Sequence, residues 1–349
     1  MVKVLGKSRL LHVANLAGVG IATVDRVLNE RGNVSPNTAE KVIVAARQLG
    51  LKRILPCSYH GTLRIEVLLT RPELPLIKRM NQQFADLATT LDRSVIVQRH
   101  ILKDDDPHQF ARHLLGCKAQ GVILYGREDE QVREAITTIS AAGKVVVTVI
   151  SDLRESARFA YAGIDHYAAG RTAGFFMSRM AARSGSVVIL CNHHKYQGHA
   201  ERIRGLKDAL QEAGRQIAVS DVLEGRDEGA RSESLLVSAL GARTDIVGIY
   251  NAGAANLAVE RAIRKSALVD PIFIGHELTE NTERMLRQGT MTLTIDQNPE
   301  RQARNAVHVI LNRHGYPGPL AREHKSDPVP FTIYTRENLP AARFHHAVH

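Results

Sequence analysis

Apolar residues fall at helical spacing near the N-terminus and at strand-like spacing beyond it. Leu10, Val13, Ala14 and Ala17 share one face of a short helix over residues 10–17. Gly18 ends it, because glycine accepts positive φ at low cost. Val24, Val27 and Leu28 share a face of a second short helix over residues 21–28. Ser35 as N-cap and Pro36 at the first helical position open a third, with Val42, Ala45, Ala46 and Leu49 inward. Small Ala14 and the turn at Gly18 let the first two helices cross closely, a helix-turn-helix whose second helix lies in the DNA major groove. From residue 64 onward, β-branched runs alternate with helical stretches. Strands are expected at Arg64–Thr70, Ser94–Arg99, Gly121–Tyr125, Val145–Ile150, Val187–Cys191, Val219–Leu223, Ile246–Tyr250, Pro271–Gly275 and Met291–Ile295. Helices such as Ile77–Leu91, Pro107–Cys117 and Gly198–Ala213 lie between them. The alternation predicts parallel sheets covered on both faces, and the number of strands predicts two lobes.

Composition sharpens this picture. The chain has 349 residues, 44% hydrophobic and 23% charged, which is globular and long enough for several domains. No apolar run is long enough for a transmembrane helix, and no export signal is read at the N-terminus. Cys57, Cys117 and Cys191 are few and far apart, as in a reduced cytoplasmic protein. Charge is uneven. Residues 1–60 carry nine Lys and Arg against three Asp and Glu, so they hold +6 of the net +10. A basic head on a nearly balanced body suits a polyanion. On the second helix, Ile21 and Ala22 suit thymine methyls and Arg26 suits a guanine edge. Thr23 and Asn29 suit phosphate or base-edge hydrogen bonds, or helix-end bonds of their own. Asp25 could accept from a cytosine amine, orient Arg26 or face solvent.

The run AGVGIATVDRVLN followed by NVSPNTAEKV resembles the DNA-binding head of the lactose-repressor (LacI/GalR) family over about 40 residues. The resemblance implies a helix-turn-helix head over residues 1–52 and a hinge over 53–63. It also implies a two-lobed periplasmic-binding-protein-like core of type I over 64–349. Lobe 1 would hold about 64–164 and 296–327, and lobe 2 about 165–295 and 328–341. The pattern itself breaks at Ala162–Asp165, a first crossover; the resemblance implies two more, near Ile295–Gln297 and Asp327–Phe331. It further implies dimerisation and a small effector in the cleft. Family members commonly carry a Pro-Asn start and an Ala-x-x-Leu hinge helix that inserts into the minor groove. The segment GLKRILPCSYHGTLRIEV is shorter and lacks both, leaving Pro56 with Leu55 or Tyr59 as an apolar wedge.

Polar residues gather at strand ends, where ligands of such sheets bind: Ser151, Asp152, Asp165, Asn192, His193, Asn251, His276, Glu277, Asp296 and Gln297, with Arg202 opening a helix. Donors and acceptors together suit a neutral polyhydroxylated molecule. The resemblance places effector contacts at Asp152, Arg202, Asn251, Glu277 and Gln297. It departs at Glu277, where aspartate is commoner, and at Ala252, where a second acid is frequent. The expectation is therefore an effector-responsive transcription regulator, a repressor on a pseudopalindromic operator, working as a homodimer or a tetramer. The helices Ile77–Leu91 and Pro107–Cys117 are candidate dimer surfaces. A ligand preferring the closed cleft would change the spacing of the two heads. The alternative is a sugar-binding protein without operator control. An enzyme using Asp152, Asp165 and Glu277 is not expected, since no nucleophile, acid and base converge and no P-loop, GxSxG or GxGxxG motif is present. No metal or cofactor is expected: Asp104–Asp106 before Pro107 reads as a loop ending in a helix cap, and His193, His194 and His199 have weak ligand spacing. The tail histidines 345, 346 and 349 are expected beyond the last folded segment.

Overall fold

The structure is a computed structural model, and it describes residues 7–29, 31, 34–49, 62–193, 196–316 and 328–340. Residues 53–61 of the 53–63 hinge, with the candidate wedges Leu55 and Tyr59 and with Cys57, together with His194, residue 327 of the third crossover and the tail histidines, lie outside the described residues.

The head consists of α1 (Lys7–Ala17), α2 (Ile21–Leu28) and α3 (Pro36–Gln48). Its core is Val13, Ala14, Ala17, Val24, Val27, Leu28, Ala39, Val42, Ile43, Ala45 and Ala46. The first two helices cross at 106°, within the helix-turn-helix range. Gly18 makes the turn at φ +66°, and Ser35 Oγ accepts from Thr38 N at 3.3 Å, opening α3 as expected. Leu49 was read as inward but is 45% exposed, because α3 stops at Gln48 and Leu49 falls in the turn.

The first lobe is a parallel sheet of β1 (Leu63–Thr70), β2 (Val95–Leu102), β3 (Gly121–Leu124), β4 (Val145–Thr148) and β5 (Ala160–Tyr161), in the order β2-β1-β3-β4-β5. One face packs on α4 (Pro75–Thr90) and α12 (Pro299–Arg313) through Ile77, Met80, Phe84, Ala306 and Ile310. The other packs on α5 (Pro107–Gly116) and α6 (Glu130–Ala141) through Phe110, Leu114, Val132 and Ile136.

The second sheet holds β6 (Gly185–Cys191), β7 (Ile217–Glu224), β8 (Ile246–Asn251), β9 (Ile272–His276), β10 (Leu293–Asp296) and β11 (Thr332–Tyr334), in the order β11-β10-β9-β8-β6-β7. All pairs are parallel except β10–β11. Strand β11 was not expected; three half-buried residues give no periodicity to read. Helices α7 (His166–Met180) and α8 (Gln197–Glu212) cover one face, through Ala169, Met177, Leu206 and Leu210. Helices α9 (Gly229–Gly241), α10 (Asn256–Lys265) and α11 (Glu280–Gln288) cover the other, through Leu236, Val259 and Met285. Continuous apolar strands and helices on both faces go together, because a parallel sheet has no solvent side.

The described parts of the connections between sheets run side by side. Val329 N donates to Gly163 O at 2.8 Å. Asn298, in the left-handed region at φ +51°, donates from Nδ2 to Pro330 O and, at 3.2 Å, to Thr332 Oγ1. Among the described residues no single helix is long and apolar enough to cross a membrane.

Candidate functional site

On the head, Ile21, Ala22 and Arg26 stand exposed on α2, Ile21 at 41%. The helix needs only Val24, Val27 and Leu28 for its core, so its opposite face is available. Thr23 and Asn29 are half-buried. Asp25 neither orients Arg26 nor stands free: its carboxylate accepts from Asn29 Nδ2 at 2.6 Å and pairs with Arg31 at 3.1 Å. Arg31 is an added cation at the end of α2 that the motif reading passed over.

The second candidate site lies where strand ends of both sheets face each other. A cavity of about 60 Å³ is lined from the first lobe by Leu74, Leu76, Ile77, Tyr125, Ile150 and Ser151, and from the second by residues that include Tyr196, His199, Arg202, Asp227, His276, Glu277 and Gln297. Arg202, Glu277 and Gln297 are thus brought together as expected.

Asp152 and Asn251 are not among the lining residues. The Asp152 carboxylate is held by Arg158 through Nε and the second guanidine nitrogen, by Leu153 N at 2.8 Å and by Thr148 Oγ1 at 3.0 Å, beside a wider groove behind the connections. Asn251 is fully buried; its Oδ1 accepts from Gly253 N and its Nδ2 donates to Asn256 Oδ1, which shapes the loop after β8. Asp165 is exposed and caps α7 by accepting from Ala168 N. Asp106 caps α5, as read. In each case a strand-end polar group serves the backbone, which spacing alone does not distinguish from a ligand contact.

Arg202 is 3% exposed. It is positioned by an unusually close approach of α7 and α8: a Cβ on Gly170 would fall 2.0 Å from Arg202 O, and one on Gly205 2.2 Å from Tyr167 O. Its Nε donates to His166 Nδ1 at 3.1 Å and its Nη1 to Ala252 O at 2.7 Å. Because a guanidinium only donates, His166 Nδ1 must accept, which puts the ring proton on Nε2 toward Ile150 O at 2.6 Å. Burial, then the Arg202 charge, holds His166 well below its usual pKa, so the ring stays neutral. Arg202 itself is lowered by burial and has no carboxylate among its hydrogen-bond partners.

Glu277 occupies the left-handed region at φ +72°. Burial first, and then nearby Asp296, push its carboxyl up to about 7, while Arg79 and Gln297 pull the other way. Gln297 Nε2 donates to Glu277 Oε1 at 2.5 Å, and Gln297 Oε1 has no partner. His199 Nδ1 and His276 Nδ1 are likewise buried without partners. Burial lowers both rings, His199 to about 4. Ile150, Asp227 and Glu277 are three of the seven described non-glycine residues at positive φ, and all three line the cavity. Such backbone strain tends to gather where function holds it.

The lobes are latched across this cavity. Arg79 on α4 reaches Asp296 at 2.6 Å and Glu277 at 3.2 Å. Arg71 lies 3.5 Å from Asp227, Tyr196 Oη donates to Asp105 at 2.7 Å, Gly198 N donates to Ser151 Oγ at 3.2 Å, and the rings of Tyr125 and Tyr196 stack at 6.2 Å. Tyr125, His166, Tyr196, His199, Asp227 and Arg79 were not predicted. Tyr125 stood at a strand end and was legible by the rule that found the others. Arg79 sits mid-helix, where nothing marks an inward cation.

A sequence profile described as a periplasmic binding protein domain matches residues 65–313. A second, described as bacterial regulatory proteins of the lacI family, matches residues 9–53. The protein therefore joins a regulatory helix-turn-helix head to a two-lobed periplasmic-binding-protein core. Over most of its length it belongs to the periplasmic binding protein domain family, and its head is a lacI-family regulatory domain. It is 24% identical over 319 residues to the transcriptional repressor PurR of Vibrio cholerae serotype O1, covering 86% of this chain and 90% of PurR. It is 24% identical over 229 residues to catabolite control protein A of Priestia megaterium, covering 62% of this chain and 65% of that protein. The match to the regulator DegA of Bacillus subtilis spans 66% of DegA. The core resembles the solute-binding protein of Burkholderia graminis solved with D-arabinose (TM-score 0.72, 21% identity, 80% of this chain and 97% of that one). It also resembles the arabinose-binding protein AraP of Geobacillus stearothermophilus (TM-score 0.67, 19% identity, 80% and 98%).

Proposed function

We propose that this protein is a cytoplasmic transcription repressor that binds a pseudopalindromic operator as a homodimer and responds to a small polar, sugar-like effector held between its lobes. The observation that carries the reading is the pairing, in one chain, of an exposed recognition face on α2 with a cleft whose unpartnered polar atoms include Gln297 Oε1, His199 Nδ1 and His276 Nδ1. One recognition helix reads only a half-site, so two-fold pairing of heads is expected. Arg26 would read a guanine edge, with Ile21 and Ala22 against thymine methyls. Thr23 and Asn29 would serve the backbone contacts that set register.

In the cleft, Arg202 would donate to ligand oxygens and Gln297 Oε1 would accept from a hydroxyl. Tyr125 and Tyr196 would cover apolar ring faces. A cavity of about 60 Å³ holds only about four to six waters. A pyranose with its hydroxyls needs more room, so loading it would part the lobes relative to the state described. That differential fit is what a ligand needs to shift the two lobes. Asp152, in the groove behind the connections, and Asn251, in the β8 loop, would support this site without touching the ligand.

The test is fluorescence anisotropy with DNA from upstream of the gene, in a salt series, with and without a panel of pentoses, hexoses and nucleosides. Specific binding that falls steeply with salt and changes with one effector is the expected result. A protein that binds sugar but no promoter DNA would instead be a sugar-binding protein with an incidental head, the reading favoured by the sugar-bound relatives of the core.

A further inference from the structure

Among the described residues five acidic residues are buried: Glu66, Asp152, Glu260, Glu277 and Asp296. Four of them have an arginine partner: Asp152 has Arg158, Glu260 has Arg264 and Arg284, and Glu277 and Asp296 share Arg79. Glu66 differs. Its ion-pairing partners among the described residues are two histidines, His113 on Oε1 and His100 at 4.0 Å from the same oxygen. A buried carboxylate without a permanent cation is costly, and neutral imidazoles do not offset it.

The fold brings the three side chains together from separate elements. In the parallel pairing of β1 with β2, Glu66 lies opposite Gln98 and Leu68 opposite His100, so Glu66 and His100 fall on the same face of the sheet. The last turn of α5 places His113 over that face, its ring centroid 4.9 Å from that of His100 and tilted by 56°. The ligand atoms of Glu66, His100 and His113 all lie within 4.8 Å of one another. In a tetrahedral zinc site with bonds of about 2.0–2.1 Å the ligand atoms stand roughly 3.3 Å apart. Reaching that spacing takes about 1 Å of movement at two pairs: His100 closes on Glu66 from 4.0 Å, and His113, in direct hydrogen-bond contact with Glu66 Oε1, draws back. Cys117, the C-cap of α5, lies close to Glu66, and its sulfur accepts from Ala119 N at 3.4 Å. Lys144 is directed away, to the Cys117 carbonyl.

We propose that Glu66, His100 and His113 bind a divalent transition-metal ion of the Zn2+, Co2+ or Ni2+ class. Two imidazoles and one carboxylate are a donor set these ions favour over Mg2+ or Ca2+, which prefer all-oxygen sites. Three protein ligands leave coordination positions open beside His100, on the edge strand of the first sheet. The ion would pin α5, one of the two helices suggested for dimer contact, to the sheet edge, and would do so independently of any ligand in the cleft.

The experiment is titration of the full chain with Co2+ at about pH 7.5, read by its visible ligand-field absorption and by displacement with Zn2+. About one tight equivalent is expected in the wild type, weakened about 100-fold in His113→Gln, His100→Gln and Glu66→Gln. The remaining histidines, including those of the tail, are common to all variants and set the background. His100 is exposed, so its variant keeps the fold, and a thermal melt checks the other two. Equal Co2+ spectra and affinities in the wild type and His100→Gln would overturn the proposal. So would a wild type that takes up no Co2+, which would leave Glu66 and His113 as a plain hydrogen-bonded pair.

Discussion

Replacing Arg79 by methionine tests whether the closed cleft depends on a single cation. Arg79 joins α4 of the first lobe to Asp296 and Glu277 of the second, whose side chains are only 1% and 7% exposed. Breaking a buried pair by removing one partner costs about 3–5 kcal/mol. Asp296 keeps Leu278 N and Asn298 N at 2.9 Å each, so the lower end applies. The lobes have an escape that a sealed core lacks: they open and let water reach both carboxylates. The cost then falls on closure, and about 3 kcal/mol corresponds to roughly a 150-fold shift toward the open form. Small-angle scattering should show a larger radius of gyration for Arg79→Met, while Arg99→Met, a surface cation bonded to Asn81, serves as the unchanged control. Scattering and melting temperature both identical to the wild type would refute the latch.

Arg26→Ala should lose about 1–3 kcal/mol of operator binding and relax specificity at one base position; equal weakening on all sequences would make Arg26 a phosphate contact. Acid sensitivity should trace to the cleft histidines. His166, His199 and His276 are lowered from 6.5 by burial, so the stability they give is complete above about 6.5 and is lost as pH falls toward 4. Glu277, raised from 4.5 to about 7, contributes oppositely, fully below 4.5 and lost as pH rises through 7. Three groups outweigh one, so melting temperature should fall on going from about pH 7 to pH 5, and less so in His199→Gln; an identical fall in that variant would remove His199 from the account. Gly170→Val should cost more than about 3 kcal/mol, because its Cβ meets the Arg202 backbone at 2.0 Å, and effector binding should be lost before folding is. A stable variant with normal affinity would show that the α7–α8 approach does not position Arg202.

The sequence made the strands legible because buried parallel strands are unbroken β-branched runs, as in VVVT of β4 and GVIL of β3. It made α2 legible to the residue, since Gly18 and the spacing of Val24, Val27 and Leu28 leave one solution. Legibility failed where one residue type has two uses. Asp152 and Asn251 stand at strand ends as expected, yet Arg158 and the Gly253 amide satisfy them, and no local pattern announces an arginine six residues away. It failed also for groups whose role depends on the other lobe. Arg79 and Asp296 are separated by 217 residues and meet only after both sheets form. Glu66 reads as one polar interruption of an apolar strand until His113 is laid over it.

The described core begins at Thr62, and β1 follows at once as an inner strand of its sheet, flanked by β2 and β3, with Leu63 buried and its amide bonded to Ser94 O at 2.8 Å. The described chain thus enters the first lobe at the heart of its sheet, already fixed at Leu63. A tilt of the lobe therefore carries Leu63, where the chain enters the sheet, along with it. Substitutions that loosen the root of β1 should therefore uncouple sensing from DNA binding while leaving each intact when assayed alone.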